Sequence, residues 1–426
     1  MIDQTKSKLG RREFLGAAAA ASFMIMKPQL VKGTAANSQV RFGILGCGGR
    51  GTAVGTGFVE NAGAQVTALA DLFPDQLETA HKHFDEIQQA KGFPPIDTAQ
   101  LFKGPNAYKE IAASKEVDFI LITTPPYFHP HHLETVVEAG KHVYCEKPVA
   151  IDVPGAHHVI KIGERAEGKL SLAVGFQIRV APPMVELTRR IQAGDLGKVA
   201  CGLAYYYCPH IDRPEWPNAS PDEKRLRNWV WDIKLSGDII VEQNIHVIDM
   251  CNWMLEGHPV KAVGTHGRKV RPDAGDCSDN FALVFTYPND VQISFGSTQF
   301  DSPNFDANVQ LFGSDGASEA HYDNRVNIVG KNKWDAGLGG AKEGDQFSAA
   351  GTFKGSLDQA DSEKQKGFVA SISSGQFQNQ AAQGAESAMS AMLGRTAAYT
   401  GKAITWEELQ KSKEVLDPKL DISQFD

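Results

Sequence analysis

A glycine-rich turn behind a short apolar run is the feature that most restricts what this chain can fold into. Residues 40–45 are largely apolar, and the hexapeptide that follows them has the spacing G-x-G-x-x-G. In such a turn the first glycine permits a tight bend, the second lets a pyrophosphate approach the backbone, and the third lets helix and strand pack closely. The residues predicted to bind the dinucleotide here are Gly46, Gly48, Gly49, Arg50 and Gly51.

An acidic residue after the next predicted strand supports this interpretation. Residues 65–70 form that strand, and Asp71 follows it. A carboxylate at this place accepts hydrogen bonds from the adenosine ribose hydroxyls and repels a 2′-phosphate. The predicted cofactor is therefore NAD, and NADP stays open as the alternative. Asp71 could also cap the helix before Leu77, a role that is compatible with the first.

Two later strands end in polar residues. Residues 117–122 and 140–145 are nearly continuous apolar runs, typical of strands buried inside a parallel sheet. Ligands of doubly wound sheets bind outside the carboxyl ends of the strands, so the residues that follow these runs are predicted to line the cofactor crevice. They are Thr123, Thr124, Pro125, Glu146 and Lys147.

These motifs resemble one family. The glycine turn, the Thr-Thr-Pro run with His129 downstream and the segment Ala-Gly-Lys-His-Val-Tyr-Cys-Glu-Lys-Pro at 139–148 are similar to the Gfo/Idh/MocA oxidoreductases, which include glucose–fructose oxidoreductase and inositol dehydrogenase. The resemblance covers nearly all of the chain behind its leader. It implies an NAD(P)-dependent enzyme that oxidises a sugar or polyol hydroxyl, with His129 among the cofactor-binding residues.

The second half of the chain has a different pattern. Residues 281–285 and 291–295 alternate between apolar and polar side chains, and turn sequences stand at 287–290 and 313–316. Such alternation predicts an antiparallel sheet with one covered and one open face. The predicted fold is an α/β Rossmann domain with a doubly wound parallel sheet at 38–178, followed at 179–426 by an α+β domain whose open, mainly antiparallel sheet is flanked by helices. In the resembled family the open face joins subunits, which implies a homo-oligomer, a dimer or tetramer.

The candidate catalytic residues lie in this second half. If residues 242–249 are helical, Glu242, His246 and Asp249 share one face. The family has an acidic residue four positions before its histidine, often an aspartate, so the detailed role of the longer Glu242 stays open. A histidine can take the proton of a substrate hydroxyl at neutral pH, and Lys147 can stabilise the developing alkoxide. Glu242 would orient His246 or bind a neighbouring hydroxyl.

Further residues are candidates for the substrate site. Arg225, Arg227, Trp229 and Trp231 alternate before the predicted helix, and aromatic faces with guanidinium groups often bind sugar rings, although a tryptophan pair is as often packing. One of the tyrosines at 205–207 is expected to face the cleft. The candidates are Arg179, Tyr207, Trp229, Trp231 and Asp249. The histidine pairs at 131–132 and 157–158 are interpreted as solvated helix surface, since adjacent residues on a helix diverge.

Three predictions concern the last hundred residues. Residues 330–365, rich in Gly, Asp, Ser and Lys, are predicted to form a long loop over the site or a neighbouring subunit. Residues 382–399 are predicted to be a helix closed by Gly401. Thr405 and Glu408 have the spacing of a capping box at the start of a short helix.

The N-terminus has the parts of an export signal. Arg11 and Arg12 begin a run that resembles the twin-arginine consensus, and residues 16–26 form an apolar stretch too short to span a membrane. Residues 1–36 are therefore predicted to be a signal peptide read by the twin-arginine export machinery, and the protein to be periplasmic or otherwise exported. Cleavage near 34–36 is one alternative, and an uncleaved amphipathic helix is the other. The twin-arginine route carries folded proteins, as a cofactor-loaded enzyme requires.

Composition excludes several classes of function. Of the 426 residues, 42% are hydrophobic and 22% are charged, which is ample for packed cores. The net charge of −8 argues against a nucleic-acid partner. Six cysteines without C-x-x-C or metal-ligand spacing predict mostly buried thiols and no metal site. No later apolar segment is long enough for a membrane span, so no membrane partner is expected after processing.

Three functions fit these observations. The first is an exported oxidoreductase that holds its cofactor tightly and recycles it on a second substrate, because no NAD pool exists outside the cytoplasm. The second is a redox-neutral glycosidase that oxidises a sugar, eliminates the glycosidic substituent and reduces the product again. The third is a non-catalytic sugar or nucleotide binder that retains the fold, since fold alone does not establish chemistry.

Overall fold

A six-stranded parallel sheet forms the first half of the protein. The computed structural model describes residues 39–273, 275–300, 305–339, 357 and 359–425, so the predicted leader lies outside the described residues. The strands are β1 (Arg41–Leu45), β2 (Gln65–Asp71), β3 (Leu101–Lys103), β4 (Phe119–Ile122), β5 (His142–Cys145) and β6 (Leu172–Val174). Their order is β3-β2-β1-β4-β5-β6, which reverses direction between β1 and β4. This is the doubly wound Rossmann arrangement that the sequence predicts, and it places a ligand crevice at the reversal.

Helices cover this sheet on its faces. They are α1 (Gly49–Ala62), α2 (Pro74–Ala90), α3 (Ala107–Ala113), α4 (His129–Glu138) and α5 (Val153–Ala166). The core on one side is aromatic: the Phe42 and Phe119 rings stack with centroids 4.9 Å apart, and Phe58 packs against both. Tyr144 and Phe368 complete this cluster with edge-on contacts. Offset and edge-on aromatic pairs of this kind stabilise a core beyond the burial of their area.

A nine-stranded sheet forms most of the second half. Its strands are β7 (Val199–Cys208), β8 (Lys261–Gly267), β9 (Asn280–Thr286), β10 (Gln292–Gln299), β11 (Asp306–Gly313), β12 (Gly316–Ala320), β13 (Val326–Gly330), β14 (Trp334–Asp335) and β15 (Ile404–Thr405). Strands β7 and β10 pair in parallel, and the other neighbouring strands within the described residues pair antiparallel. The predicted mainly antiparallel sheet is confirmed, as are the turns between β9 and β10 and between β11 and β12.

One face of this sheet is covered and the other is open. Along β7, Ala204, Tyr206 and Cys208 are buried, whereas Leu203 and Tyr207, which alternate with them, are exposed. Eight further helices follow the parallel sheet in the chain: α6 (Pro182–Gln192), α7 (Pro221–Arg227), α8 (Ile233–Ser236), α9 (Ile239–Glu242), α10 (Ile245–Met254), α11 (Ala360–Ser374), α12 (Ala381–Thr400) and α13 (Trp406–Gln410). Of these, α12 crosses both halves: Gly384 lies against Val174 of β6, and Gly394 lies against Phe285 of β9.

The C-terminal predictions have mixed outcomes. The helix predicted at 382–399 is confirmed, with Gly401 in the left-handed conformation at its end, and so is the capping box of Thr405 and Glu408. The loop predicted at 330–365 is wrong where it can be checked at both ends, because β14 occupies Trp334–Asp335 and α11 begins at Ala360, while residues 340–356 and 358 lie outside the described residues. Two side chains of α11, Lys364 and Phe368, are buried, the latter against the rings of Phe58, Phe119 and Tyr144, and a polar-rich sequence concealed them. The domain boundaries at 178 and 179 stay a prediction.

Two other sequence expectations concern the whole chain. Five of the six cysteines are buried free thiols, and Cys201 is exposed. None of the helices in the described part of the chain is long and apolar enough to cross a membrane.

Candidate active site

The glycine turn has the geometry of a pyrophosphate cradle. Gly46 closes β1 with a φ of +100°, a conformation that glycine adopts without strain. A Cβ on Gly51 would lie 2.7 Å from Oγ1 of Thr123 and closer still to the carbonyl oxygen of Gly46. Around Gly48 and Gly49, by contrast, a Cβ would meet no described atom within 4 Å. Since α1 begins at Gly49, its first amides and helix dipole face this open space, which fits an anionic pyrophosphate.

Asp71 connects the turn to the ribose end of the cleft. Its two carboxylate oxygens accept hydrogen bonds from the amides of Cys47 (2.6 Å) and Phe73 (2.8 Å). Burial raises the pKa of this carboxyl, and the two amide donors oppose that shift. The alternative role as a helix cap is wrong, because α2 begins at Pro74 with Phe73 at the cap position. Asp71 instead fixes the glycine turn and still lines the cavity beside it.

The cleft at the reversal of strand order is a cavity of about 910 Å³. That is the size range of cofactor sites in proteins. Of the residues predicted to bind cofactor or substrate, it is lined by Gly46, Gly48, Gly49, Asp71, Thr123, Thr124, Pro125 and Trp229. The sequence therefore located the part of this wall that belongs to the glycine turn and to the carboxyl ends of β2 and β4, and these residues fit a dinucleotide.

The predicted catalytic residues Lys147 and Glu242 come together. Lys147 follows β5, and its Nζ donates to Oε1 of Glu242 at 2.9 Å and to the backbone carbonyl of the same residue. Only 13% and 14% of the two side chains are exposed, so water screens the pair weakly. This ion pair joins the end of a Rossmann strand to the last residue of α9. Its partners are far apart in the chain. The sequence placed both in one catalytic site but did not predict their contact, since Glu242 was expected to orient His246 or bind a neighbouring hydroxyl.

His246 lies on the next helix, where the charges of Lys147 and Arg50 both act on its imidazole. Burial, together with the charges of Lys147 and Arg50, lowers its pKa well below the usual value, so the imidazole is neutral at physiological pH. A neutral imidazole can accept a proton. The continuous helix predicted over residues 242–249 is wrong, because α9 ends at Glu242 and α10 begins at Ile245.

Arg50 and Glu146 form a second buried ion pair beneath the glycine turn. Nη2 of Arg50 donates to Oε1 of Glu146 at 2.7 Å. Although burial opposes the charge of Arg50, the carboxylates of Glu146 and Asp361 raise its pKa. A Cβ on Gly175 would lie 2.5 Å from Oε2 of Glu146, so a larger residue there would displace this carboxylate. Both residues were predicted to bind cofactor, and the structure places them behind the turn, bound to each other.

His129 has no ring nitrogen left for a cofactor. It is buried at the start of α4, with Nδ1 2.7 Å from the carbonyl oxygen of Pro148 and Nε2 2.7 Å from that of Thr124. The residue therefore ties together the two segments that follow β4 and β5. The structure contradicts direct cofactor binding and indicates a positioning role. Its neighbour His132, predicted to be solvated, is also buried and lies 3.0 Å from the hydroxyl of Thr124.

Two predicted substrate residues bind each other instead. Arg179 donates from Nε and Nη2 to the two oxygens of Asp249, both at 2.9 Å. Ser387 of α12 adds a third donor to the same carboxylate, of which 1% is exposed. Because its oxygens are occupied, Asp249 serves as an anchor for α10, and the structure gives no support to direct substrate contact.

Two aromatic candidates lie away from Glu242. Trp231 is buried, with the guanidinium of Arg271 4.5 Å from its ring centroid, so it is packing. Tyr207 stacks on Tyr205 on the open face of the second sheet. Its neighbour Tyr206 lies on the opposite, covered face, and the charge of Glu242 contributes to the raised pKa of its hydroxyl. The prediction that Tyr207 faces the cleft is therefore wrong.

The sequence missed several buried polar groups around these pairs. Lys364 on α11 donates to Oε1 of Gln380 at 2.9 Å, and burial lowers its pKa to about 8. Asn244, in the break before His246, is fully buried, and neither atom of its amide has a partner among the described residues. Lys364 was missed because the start of α11 was predicted to be a loop. Asn244 sat inside the recognised motif, but only the structure shows its burial.

The described residues were also compared with the ligand sets that bind metal ions. Within residues 39–425, as far as they are described, no cluster of three or more His, Cys, Asp or Glu side chains could hold a metal ion.

Comparison with known proteins agrees with this geometry. Residues 40–176 match the model of the Gfo/Idh/MocA oxidoreductase family, NAD-binding Rossmann fold, and residues 184–319 match that of the Gfo/Idh/MocA C-terminal domain. An inositol 2-dehydrogenase from Rhizobium meliloti (strain 1021) is 27% identical over 293 residues, which cover 68% of this chain and 78% of the relative.

Solved structures share the fold at low identity. The scyllo-inositol dehydrogenase from Lactobacillus casei with bound NAD(H) and scyllo-inositol superposes with a TM-score of 0.65 at 17% identity, over 87% of this chain and 99% of that one. The aldose-aldose oxidoreductase from Caulobacter crescentus, complexed with glycerol, gives a TM-score of 0.65 at 18% identity, over 86% and 99%.

Proposed function

The chain belongs to the Gfo/Idh/MocA family of NAD-binding oxidoreductases, and from this premise we propose that it is an exported enzyme that keeps its NAD bound and recycles it between two sugar or polyol substrates. The general class, a dehydrogenase of the sugar and polyol type, follows from the family and its inositol dehydrogenase relatives. One observation carries the assignment of the site: Lys147, at the end of a Rossmann strand, is paired with Glu242 beside the neutral, buried His246.

These three residues can manage the proton and the charge of an alcohol oxidation. Bound NAD supplies the hydride acceptor. An ammonium group has three N–H donors, and Glu242 takes two from Lys147, so the third can be given to the substrate oxygen. A neutral nitrogen of His246 accepts the hydroxyl proton, while the charge of Lys147 stabilises the alkoxide that develops. Glu242 fixes the position of Lys147 and thereby aims its ammonium.

Recycling is the finer part of the proposal. The leader directs the folded protein out of the cytoplasm. Outside the cytoplasm no pool of NAD replaces a cofactor that is lost. An enzyme there needs a second substrate that reoxidises its bound NADH. One structural neighbour is named an aldose-aldose oxidoreductase, and this name describes an oxidoreductase with two aldose substrates. We extend that scheme to this chain.

A single preparation separates the candidate functions. The protein is purified without added cofactor, and its absorbance is recorded for bound NAD(H) before free polyols, free sugars and aryl glycosides are each supplied. Reduction of the bound nicotinamide by a free polyol or sugar, reversed by a second carbonyl substrate, supports the proposal. Release of the aryl group without net reduction supports the redox-neutral glycosidase instead. A protein without nucleotide or spectral change overturns both and leaves the binding role.

The site assignment has its own test. Lys147→Ala removes the charge that faces the alkoxide, and we expect kcat to fall about 10²–10³-fold, the usual loss for one such donor. The content of bound NAD should stay close to that of the wild type, because the glycine turn is untouched. Lys161→Ala, which removes an exposed lysine of α5, is the matched control. Full activity of Lys147→Ala would end the assignment.

Export is tested on the leader alone. Replacing Arg11 and Arg12 with lysine keeps the positive charge and removes the twin-arginine pair. We expect the protein to move from the exported to the cytoplasmic fraction. Unchanged export of the double variant would contradict the twin-arginine route.

We also propose that the open face of the second sheet joins subunits. It exposes a set of large apolar side chains: Leu203 (40%), Tyr207 (37%), Val263 (42%), Phe312 (38%) and Val329 (56%). Exposed apolar surface of this kind marks association sites on proteins. Light scattering should give the mass of a dimer or tetramer, and Leu203→Glu with Phe312→Glu should lower it. A monomeric wild type would contradict the proposal.

A further inference from the structure

Segments distant in the chain close the ribose end of the cofactor cleft. On one side lie Asp71 and Phe73, from the turn between β2 and α2. The wall opposite is built by residues from two later segments: Trp216, Leu226, Arg227, Trp229, Val415 and Ile422. The cleft is therefore bounded by the C-terminal half as well as by the Rossmann sheet, and a nucleotide at Asp71 would lie beneath these residues.

Arg227 makes the principal link across the cleft. Its Nη1 and Nη2 donate to the two oxygens of Asp75 at 2.9 and 2.8 Å, and its Nε donates to Glu223 at 2.7 Å. The guanidinium also lies between two rings, 4.0 Å from the centroid of Phe73 and 4.6 Å from that of Trp216. A bidentate carboxylate pair and aromatic stacking are the two interactions for which arginine is better suited than lysine. We call Arg227, Asp75, Phe73 and Trp216 the clasp.

The C-terminal tail, residues 411–425, lies over the same region. The ring of Phe425 packs edge-on against Phe73 with centroids 5.5 Å apart. The amide of Leu416 donates to Asp152 at 3.0 Å, and the carbonyl of Pro418 accepts from Arg225 at 2.8 Å. The tail is thus attached both to the nucleotide-binding half, through Asp152, and to α7, through Arg225. It reinforces the clasp from outside.

We propose that the clasp and the tail retain the dinucleotide, and that opening them limits its exchange. The proposal rests on the proposed function, in which NAD stays bound through many turnovers. The argument from structure is that the clasp holds two distant segments together at the rim. Widening this end of the cleft breaks the two charge-assisted hydrogen bonds to Asp75 and withdraws Arg227 from the ring of Phe73. The Lys147–Glu242 site takes no part in it.

Dissociation of the nucleotide is the direct readout. Arg227→Met keeps an apolar side chain between the two rings but removes the guanidinium. In the full-length protein loaded with NADH, we expect about tenfold faster release, followed as loss of bound-NADH fluorescence after dilution into excess NAD. Less nucleotide should remain after purification.

Two further variants make the test specific. Arg189→Met removes an equally bidentate guanidinium, bound to Glu186 at 2.8 and 2.7 Å on the exposed surface of α6, and should leave the release rate unchanged. Phe425→Ala withdraws the tail from Phe73 and should speed release in the same direction as Arg227→Met. If Arg227→Met does not fold, Phe425→Ala decides by the same criterion.

The outcomes separate this inference from the proposed function. Release from folded Arg227→Met at the wild-type rate overturns the inference and leaves the clasp as packing. A wild type that exchanges NAD freely overturns both retention and recycling. A wild type that retains NAD through the clasp but oxidises no polyol or sugar contradicts the proposed function alone.

Discussion

Replacing Gly51 with alanine should damage the glycine turn in a way that the structure lets us work out. The added Cβ would lie 2.7 Å from Oγ1 of Thr123 and closer still to the carbonyl oxygen of Gly46. Both atoms are fixed, because the Thr123 hydroxyl donates to that carbonyl at 2.6 Å and the Gly46 amide donates to Ala70. Helix α1 must therefore move away from β1.

The cost has two parts. Overpacking of a closed contact costs about 1–3 kcal/mol, and loss of the Thr123 hydrogen bond adds about 0.5–1.5 kcal/mol. Together they predict a loss of roughly 2–4 kcal/mol in the free energy of unfolding. For a chain of this size that corresponds to a fall of roughly 2–5 °C in Tm. NAD binding should weaken as well, since α1 carries the amides of the cradle.

Gly49→Ala is the matched control on the same turn. A Cβ there meets no described atom within 4 Å, and alanine is favoured over glycine in a helix by about 0.5–1 kcal/mol. Its Tm should be equal to or above that of the wild type, while its affinity for NAD falls because the methyl group occupies the pyrophosphate space. Thermal melts followed by NAD titration check both. A stable Gly51→Ala, or a Gly49→Ala that binds NAD normally, would refute the reasoning.

The remaining predictions concern buried groups. The pKa of His246 in the folded protein is depressed below its unfolded value of about 6.5, so the folded imidazole stays neutral where the unfolded one takes up a proton. The free energy of unfolding contributed by this group should therefore fall as pH drops below about 6.5 and change little above it. Urea midpoints measured against pH should depend less on acid in His246→Gln than in the wild type, and equal slopes would contradict this. For the same reason kcat/KM should not lose its base between pH 8 and about 6.5; an acid limb near pH 7 assigned to His246 would contradict it. Phe368→Ala should cost about 3–5 kcal/mol by opening the aromatic core, and urea denaturation with an unchanged midpoint would show that α11 does not stabilise the Rossmann half. Tyr399→Phe removes the 2.6 Å hydrogen bond to the buried Asp238 and should cost about 1–3 kcal/mol; a variant as stable as the wild type would mean that Ser278 and the Ile239 amide satisfy that carboxylate alone.

The first half of the fold was predictable because its signals are local. Strands β1, β2, β4 and β5 are short apolar runs, and the glycine turn and Asp71 mark the cofactor side within one βαβ unit. Strands β3 and β6 have three residues each and were not predicted. The strand order follows once that unit is recognised. The alternating strands of the second sheet were equally legible, because one face is buried and the other exposed along each strand.

The errors arose where tertiary contacts override the local pattern. Helix α11 buries Lys364 and Phe368 among many polar residues, so its first residues, 360–365, were predicted to belong to a loop. The pairing of Arg179 with Asp249 joins residues seventy positions apart, and no spacing rule reveals which partner a buried carboxylate finds. Tyr207 was assigned to the wrong face because three consecutive tyrosines give no indication of register.

The clasp belongs to the same class of long-range feature. The alternation of Arg227 and Trp229 was visible, and sugar binding was the role predicted for such a pattern. The structure instead places Arg227 against Asp75 and Phe73, at the ribose end of the cofactor cleft. Asp75 and Phe73 come from the other half of the chain, so the sequence singled out Arg227 but could not predict which residues it contacts.

Transfer of a substrate's carbon-bound hydrogen to the bound nicotinamide tests the central claim most directly. A polyol that reduces the cofactor is prepared with deuterium on its carbinol carbons and mixed with protein purified with its own NAD. Mass spectrometry then follows the nucleotide released by denaturation after a single turnover. The account predicts deuterium on the nicotinamide of the wild type and almost none with Lys147→Ala at equal NAD content. Absence of deuterium in the wild type, or equal transfer in both proteins, would contradict it.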